Sequence, residues 1–247
     1  MRPVADAVAQ PDTGDAAGDA AGVGGETSRR SGWHLERRRL YLCTPDRADL
    51  ERFVAACIDG GVDLVQLREK HLGDRDLVRR ASLVARVCAD AGIPFVLNDR
   101  PDLAVACGAD GVHVGQEDTP PAEARLLVGD DLLVGRSTHA PDELERAVTE
   151  PVDYVSAGPV VPTPTKPGRP GTGAGYAGWA TGRAPCTVWV TGGVTPESVG
   201  DLVASGARHF VVVRWLTEAT DPAGAARRLR AAVDAAVEAA EAAGGTG

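Results

Sequence analysis

The chain has very little lysine: of its 26 basic residues, only Lys70 and Lys166 are lysines. Arginine supplies the remaining positive charge. A position that keeps lysine is therefore expected to need a compact ammonium group, which the planar guanidinium cannot replace. Lys70 closes the polar segment Gln66-Leu67-Arg68-Glu69-Lys70, which directly follows an apolar run, and Lys166 lies in a loop rich in proline and glycine. The alternative is chance in an arginine-rich composition.

Other features that the sequence lacks exclude whole classes of protein. No apolar stretch reaches the ~18 residues of a membrane span, and the N-terminus has no apolar core of a secretion signal. The net charge of −9 argues against a nucleic-acid binder. The five cysteines form no Cys-x-x-Cys pair, so we expect reduced thiols and neither disulfides nor a zinc site. These absences predict a cytoplasmic protein without membrane or nucleic-acid partners, and they leave the oligomeric state open, a homo-oligomer included.

One large domain is predicted between two loose ends. Residues 1–36 are mostly Ala, Gly, Asp and Arg with little periodicity, so they are predicted to be a disordered tail. Residues 37–243 are predicted to form the domain, and residues 244–247 a flexible C-terminus.

Within the domain, an amphipathic stretch repeatedly ends in glycine and is followed by a short apolar run, the pattern of a helix that leads into a buried strand. Eight strands are predicted, at residues 39–43, 63–67, 94–98, 111–114, 132–136, 153–157, 186–190 and 209–213. Eight such units in one domain favour an α/β fold of the (β/α)8 TIM-barrel type, and a doubly wound sheet is the alternative. A final helix is expected at roughly 222–242.

Polar residues collect where the predicted strands end, which is the working face of such a barrel. Asp99 and Asp118 would lie on neighbouring loops with Arg68, Lys70 and Lys166 around them. Mg²⁺ is typically held by one or two carboxylates together with phosphate oxygens, so this set predicts a diphosphate site. Each aspartate could instead cap the helix that follows it.

A second phosphate site is predicted at Gly192-Gly193, because glycines let backbone N–H groups approach a phosphate closely. A plain turn is the alternative, and Arg214 could add a charged donor there or point into solvent. The long loop after the sixth strand contains five prolines between residues 159 and 170 and is predicted to present Thr163, Thr165 and Lys166 to a ligand. His113 is predicted to be a packed residue at a strand end.

Six segments in this order resemble the thiamine phosphate synthase (thiamine-phosphate pyrophosphorylase) family. They are Val65-Gln66-Leu67-Arg68-Glu69-Lys70, Leu97-Asn98-Asp99-Arg100, Gly111-Val112-His113-Val114-Gly115-Gln116, Gly135-Arg136-Ser137-Thr138-His139, the segment from Gly158 to Lys166, and Gly192-Gly193-Val194-Thr195. The resemblance covers about residues 39–217 and implies a TIM barrel.

The resemblance also implies a transferase of thiamine biosynthesis that acts on two small molecules and uses Mg²⁺. It would join the diphosphate ester of 4-amino-5-hydroxymethyl-2-methylpyrimidine to a thiazole phosphate, or to its carboxylated form with loss of CO₂. The products would be thiamine phosphate and pyrophosphate. One departure is Arg214, where the family often has serine.

By the same resemblance, residue roles can be expected position by position. The pyrimidine diphosphate would be held by Gln66, Arg68, Lys70, Asn98, Ser137 and Lys166, of which Arg68, Lys70, Ser137 and Lys166 are the expected catalytic residues. Mg²⁺ would be bound by Asp99 and Asp118. The thiazole phosphate would be held by Thr163, Thr165, Gly193, Val213 and Arg214. The matching segments also include Leu67, Glu69 and Pro164 among the substrate-binding residues.

The residues and the resemblance agree on a dissociative substitution, in which the cations neutralise the departing pyrophosphate and no side-chain nucleophile is needed. Three alternatives remain open at this point. They are a thiazole tautomerase-like isomerase on the same barrel, a Schiff-base aldolase that uses one lysine, and a sensor that binds phosphate ligands without catalysis.

Overall fold

A computed structural model of the chain describes residues 30–162 and 170–244. Eight parallel strands form a closed barrel in chain order, and β8 pairs with β1. The strands are β1 Leu40–Thr44, β2 Leu64–Leu67, β3 Phe95–Asn98, β4 Gly111–Val114, β5 Leu133–Thr138, β6 Tyr154–Ala157, β7 Thr187–Thr191 and β8 His209–Val212. The predicted TIM barrel is confirmed, and the doubly wound alternative is wrong.

Helices cover the outside of the barrel and connect its strands. They are α1 Leu50–Asp59, α2 Asp74–Asp90, α3 Pro101–Ala104, α4 Pro121–Val128, α5 Pro141–Ala147, α6 Gly173–Arg183, α7 Val199–Ala204, α8 Arg214–Thr217 and α9 Pro222–Gly244. In the described part of the chain, no helix is both long enough and apolar enough to cross a bilayer. The final predicted helix matches α9, which packs against α1, α7 and α8.

The predicted tail overlaps an ordered segment. Two short 3-10 helices, Ser31–Trp33 and Leu35–Arg37, precede β1. Leu35 is buried with the side chains of the barrel interior, and Trp33 packs against the same group. Residues 1–29 of the predicted tail, like residues 245–247 of the predicted flexible end, lie outside the described residues.

Side chains alternate along each strand between the barrel interior and the helical layer, as the two-residue period of a strand requires. On β1, Leu40 and Leu42 join the core between strands and helices, whereas Tyr41 and Cys43 face the interior. The interior is filled by large side chains that include Leu64 and Trp189. The inward positions near the C-terminal strand ends face a cavity.

Aspartates at the opposite end of the barrel fix the register of neighbouring strands. The Asp63 carboxylate accepts hydrogen bonds from the backbone N–H groups of Arg39 and Leu40, at 2.9 and 3.0 Å. Asp110 accepts one from Phe95 at 2.9 Å. Both aspartates lie two residues after a glycine, just before a strand begins. Their role at this face is structural, as is usual for the N-terminal end of such barrels.

Gly135 in β5 makes room for one of the interior side chains. A Cβ at this position would overlap the ring and hydroxyl of Tyr154, which faces Gly135 across the β5–β6 pair. We therefore expect Gly135→Ala to lower the free energy of unfolding by about 1–3 kcal/mol, the usual cost of overpacking a core. Urea denaturation measures this change.

Gly200→Ala is the matched control for this substitution. Gly200 is exposed on α7 and has no neighbouring atom where a Cβ would lie. Its replacement should leave stability unchanged or raise it slightly, because alanine favours a helix by up to about 1 kcal/mol over glycine. If Gly135→Ala were as stable as Gly200→Ala, Tyr154 would not occupy the space opposite Gly135.

Candidate active site

A cavity of about 360 Å³ opens at the C-terminal ends of the strands. Its floor consists of the last inward-facing residue of each strand or of the residue just beyond it. These residues are Cys43, Gln66, Asn98, His113, Ser137, Ser156, Thr191 and Val213. Polar side chains dominate this layer, whereas the layer beneath is largely apolar and aromatic. The barrel therefore offers a polar, enclosed site at the face where the sequence predicted one.

At one side of the cavity, two carboxyl groups meet beside a lysine. Asp99 follows β3 and Asp118 lies in the loop after β4, and their carboxyl groups hydrogen-bond each other. The Lys70 ammonium lies 2.7 Å from Oδ2 of Asp99. All three residues line the cavity. The structure thus brings both aspartates together with one of the two lysines, as the sequence predicted.

The two carboxyl groups shift each other's pKa in opposite directions, as expected for acids this close together. Burial and the hydrogen bond to Asp118 raise the pKa of Asp99, against the opposing effect of Lys70. Burial would also raise the pKa of Asp118. Hydrogen bonds from Asp99 and from the backbone N–H of Gly115 outweigh it, and the pKa of Asp118 is lowered. Asp118 is therefore the stronger acid of the two.

Neither aspartate caps a helix, so that alternative is wrong. Helices α3 and α4 begin at Pro101 and Pro121, and neither has a side-chain hydrogen bond at its N-cap. Asp99 instead adopts a left-handed backbone conformation with φ of 61°, and its N–H donates to the carbonyl of His113 at 2.8 Å. Aspartate tolerates this region better than most residues.

Arg136 organises the loop that carries Asp118, which the sequence reasoning missed. Its guanidinium is buried and donates to the carbonyl of Gly115 at 2.7 Å, and the Gly115 N–H donates to Asp118 at 2.8 Å. Gln116 ties the same loop to β5 through a hydrogen bond of 2.6 Å to the Ser137 carbonyl. The signal available from sequence was a charged residue at the end of the apolar run Leu132–Gly135.

Arg68 and Arg214 also line the cavity. Within residues 30–162 and 170–244, no carboxylate lies within ion-pair distance of either guanidinium. The two arginines follow β2 and β8, the strands on either side of β1. Their positive charge therefore remains available to an anionic ligand.

The Asn98 side chain is buried in the cavity floor, and its Nδ2 finds no hydrogen-bond partner in the part of the chain that the structure describes. A buried amide donor without a partner is costly, so it indicates a ligand atom at this point. His113 is buried as predicted, between Tyr154 and Ser137.

The turn Gly192-Gly193 lies at the far side of the cavity. Both residues have positive φ, 96° and 76°. A Cβ on Gly192 would come within 2.6 Å of Pro159, and one on Gly193 within 2.5 Å of Val161. These glycines therefore also allow the loop after β6 to pack closely against the turn.

The predicted substrate-binding residues fall into three groups. Those that line the cavity are Gln66, Arg68, Lys70, Asn98, Asp99, Asp118, Ser137, Gly193, Val213 and Arg214. Thr163, Pro164, Thr165 and Lys166 lie outside the described residues. Leu67 and Glu69 do not line the cavity. Leu67 points outward into the helical layer, and Glu69 accepts backbone hydrogen bonds from Asp46 and His71.

Cys43, Ser156 and Thr191 line the cavity but were missed from sequence. They could have been found from the alternation of inward and outward side chains along each strand, because each lies at an inward position near the C-terminal end of its strand. Among the residues that the structure describes, no cluster of three or more His, Cys, Asp or Glu side chains could hold a metal.

The structure of a thiamine phosphate pyrophosphorylase from Pyrococcus furiosus is similar to this barrel, with a TM-score of 0.74 and 25% identity over 81% of this chain and 96% of that one. A 3-hexulose-6-phosphate synthase shares the fold with a TM-score of 0.60 and 20% identity over 78% of this chain and 99% of that one.

Sequence relatives agree more closely. The thiamine-phosphate synthase of Acidothermus cellulolyticus is 42% identical over 207 residues, which cover 82% of this chain and 98% of that protein. A thiamine-phosphate synthase from Thermus thermophilus is 46% identical over 202 residues, covering 81% of this chain and 91% of that protein. A family model described as thiamine monophosphate synthase matches residues 40–216, so the chain belongs to the thiamine monophosphate synthase family of transferases, as its motifs predicted.

Proposed function

We propose that the chain joins the aminopyrimidine diphosphate to a thiazole phosphate, releasing pyrophosphate and forming thiamine phosphate. The observation that carries this proposal is one cavity with two anion-binding sides. The carboxyl pair beside Lys70 suits a diphosphate with Mg²⁺, and the glycine turn beside Arg214 suits a monophosphate. Both substrates are small molecules, and we propose that the reaction takes place in the cytoplasm.

The donor set on the diphosphate side fits Mg²⁺, which prefers carboxylate and phosphate oxygens and keeps several waters. Asp99 and Asp118 would hold the ion, and the remaining ligands would come from the substrate diphosphate and water. When bound, the ion would neutralise part of the charge on the leaving diphosphate. The two carboxyl groups are in hydrogen-bond contact, so one cation could be held by both.

The chain's own cations would act on the same leaving group. Arg68 supplies a planar donor pair and Lys70 a compact point charge, both at the cavity wall. As the bond between the pyrimidine methylene and oxygen breaks, the electron pair leaves with pyrophosphate. The electron-rich aminopyrimidine stabilises the resulting cation, and the lone pair of the thiazole nitrogen then forms the new bond. Fixed positive charge that meets growing negative charge favours this transition state.

The floor of the cavity would hold the pyrimidine. Gln66 and Asn98 present amide groups there, and the unpartnered Nδ2 of Asn98 offers a donor that the ligand can satisfy. Ser137 adds a hydroxyl on the neighbouring β5. Thr163, Thr165 and Lys166 stay predictions for the thiazole phosphate and the leaving group, and the choice between plain and carboxylated thiazole stays open.

The isomerase alternative is disfavoured by the carboxyl pair and Lys70. A thiazole tautomerase-like enzyme needs one monophosphate site and a proton transfer, and it has no diphosphate to neutralise. Two half-buried acidic side chains in contact are costly without such a task. The synthase reaction gives both groups a function.

The direct test is to incubate the protein with Mg²⁺, the pyrimidine diphosphate and the thiazole phosphate, and to measure thiamine phosphate and pyrophosphate. Equal amounts of the two products are expected. Isomerisation of the carboxylated thiazole without pyrophosphate release would favour the alternative, and binding of both substrates without products would favour a sensor.

Asp99→Asn tests the proposed metal site. The amide keeps the shape and a hydrogen bond to Asp118 but loses the charge, so we expect kcat to fall by about 100-fold or more, the scale of one lost electrostatic group. Pyrophosphate release should be measured across Mg²⁺ concentrations. Asp102→Asn, in an exposed pair with Arg100, is the control and should behave like the native protein. A near-normal rate and Mg²⁺ dependence for Asp99→Asn would contradict the role.

Arg214→Ala tests the monophosphate side. Loss of a charged donor to phosphate should raise KM for the thiazole phosphate by about tenfold, since such bonds contribute about 1.5–3 kcal/mol. The KM for the pyrimidine diphosphate should change little. Arg79→Ala is the control, because Arg79 is exposed on α2 and pairs with Asp76. If the larger effect fell on the pyrimidine substrate, Arg214 would belong to the other side of the cavity.

A further inference from the structure

A continuous chain of buried hydrogen bonds runs through the cavity floor and the layer of side chains beneath it. Nε2 of Gln66 donates to the Tyr41 hydroxyl at 2.6 Å, and the hydroxyls of Tyr41 and Tyr154 are 2.9 Å apart. The Tyr154 hydroxyl lies 3.2 Å from Nδ1 of His113, and Nε2 of His113 lies 2.9 Å from Oγ of Ser137. The chain therefore begins and ends at residues that line the cavity.

The direction of the protons along this chain follows from the number of donors. The thiol of Cys43 donates to Oε1 of Gln66 at 3.1 Å, which turns Nε2 toward Tyr41. Tyr41 accepts from Gln66, and donation to Tyr154 is the arrangement that gives its single proton an acceptor among the described residues. Tyr154 in turn donates to Nδ1 of His113.

His113 is thereby held as the neutral tautomer with its proton on Nε2, which donates to Oγ of Ser137. Ser137 Oγ also accepts from the Ser156 hydroxyl at 3.5 Å, so its own proton is left to point toward the cavity. Burial raises the pKa of both Tyr41 and Tyr154, so each hydroxyl keeps its proton at neutral pH.

Packing keeps these rings in place. The imidazole of His113 stacks on Tyr154 at 5.5 Å between ring centroids, and Tyr41 meets Trp189 edge to face at 5.1 Å. Tyr154 does not line the cavity, and the space for its ring exists because residue 135 is glycine. Its hydroxyl is therefore unable to touch a substrate and acts only on its neighbours.

We propose that Tyr41, Tyr154 and His113 are positioning residues that orient two cavity groups for the aminopyrimidine diphosphate. Ser137 is set as a donor to an anionic oxygen of the leaving diphosphate. Gln66 is held so that one N–H and one carbonyl lone pair remain for the ligand. The N–H could donate to a ring nitrogen of the pyrimidine, and the carbonyl could accept from the adjacent amino group. This inference rests on the proposed function and adds how the floor recognises that substrate.

The first test needs neither a variant nor activity. Nitrogen-15 NMR of the histidine side chains in the native protein distinguishes a protonated ring nitrogen from an unprotonated one. We expect His113 to be neutral with the proton on Nε2, and Tyr154→Phe should produce a mixture of tautomers because Nδ1 loses its donor. A proton on Nδ1 of His113 in the native protein would overturn the inference, whether or not the protein is a synthase.

The second test separates a positioning role from a purely structural one. Tyr154→Phe should lower kcat by about tenfold, as expected for the loss of one buried hydrogen bond in the chain that orients Ser137, and should leave KM for the thiazole phosphate unchanged. In a Ser137→Ala background, Tyr154→Phe should have almost no further effect, because it acts through Ser137. Full additivity of the two substitutions would contradict the proposal.

Tyr176→Phe is the matched control. Its hydroxyl bonds to Thr138 and to the carbonyl of Ala140 outside this chain of hydrogen bonds. It should leave both the tautomer of His113 and kcat unchanged. An equal loss of kcat in Tyr176→Phe would point to general destabilisation and overturn the specific role of Tyr154. Absence of pyrophosphate release from the native protein would instead reject the proposed function, and the NMR result would stand alone.

Discussion

The two-residue period of a strand in a closed barrel is the constraint on which both core and site depend. Every second side chain must enter a space that only eight strands enclose, so the interior positions are shared among all of them. Near the N-terminal ends these positions hold large side chains such as Trp189 and Tyr154, and the barrel is filled. Near the C-terminal ends the same positions hold polar residues, and a cavity remains. One geometric rule thus produces a packed core and a polar site on the same strands.

Three features of the site lower the stability of the protein when no ligand is bound. Asp99 has a left-handed backbone, its carboxyl group is desolvated beside a second acid, and the amide of Asn98 is buried without a partner among the described residues. Each feature costs stability in the absence of a ligand. Asn98 and Asp99 both line the cavity, where a bound cation and a polar substrate would offset these costs. Arg136 and Lys70 supply the fixed positive charge that makes the arrangement possible.

The fold could be predicted from sequence almost to the residue, because eight apolar runs and the glycines before them repeat one pattern. The strand starts differ from prediction by at most one residue, and β5 extends two residues further, so that Ser137 and Thr138 lie within the strand. The charged part of the site was also predictable, since Asp99, Asp118 and Lys70 lie within four residues of the ends of strands. Leu67 and Glu69 lie within a matching segment, yet their side chains do not face the cavity. A motif of consecutive residues includes both faces of a strand, and only one face points into the barrel. Ser156 and Thr191 were missed for the opposite reason, as they belong to no conspicuous motif.

The order of apolar runs, glycines and polar strand ends was enough to specify a barrel, its working face and the charges gathered there, because those features depend on local conformation and on one simple topology. Contacts between residues distant in the chain were beyond that reasoning. The hydrogen bonds from Gln66 through two tyrosines to His113 join β1, β2, β4 and β6, and they exist only because barrel closure brings these strands to a common interior. The direction of each of these hydrogen bonds depends on the partner that a neighbouring strand supplies, so it could be assigned only from the closed barrel.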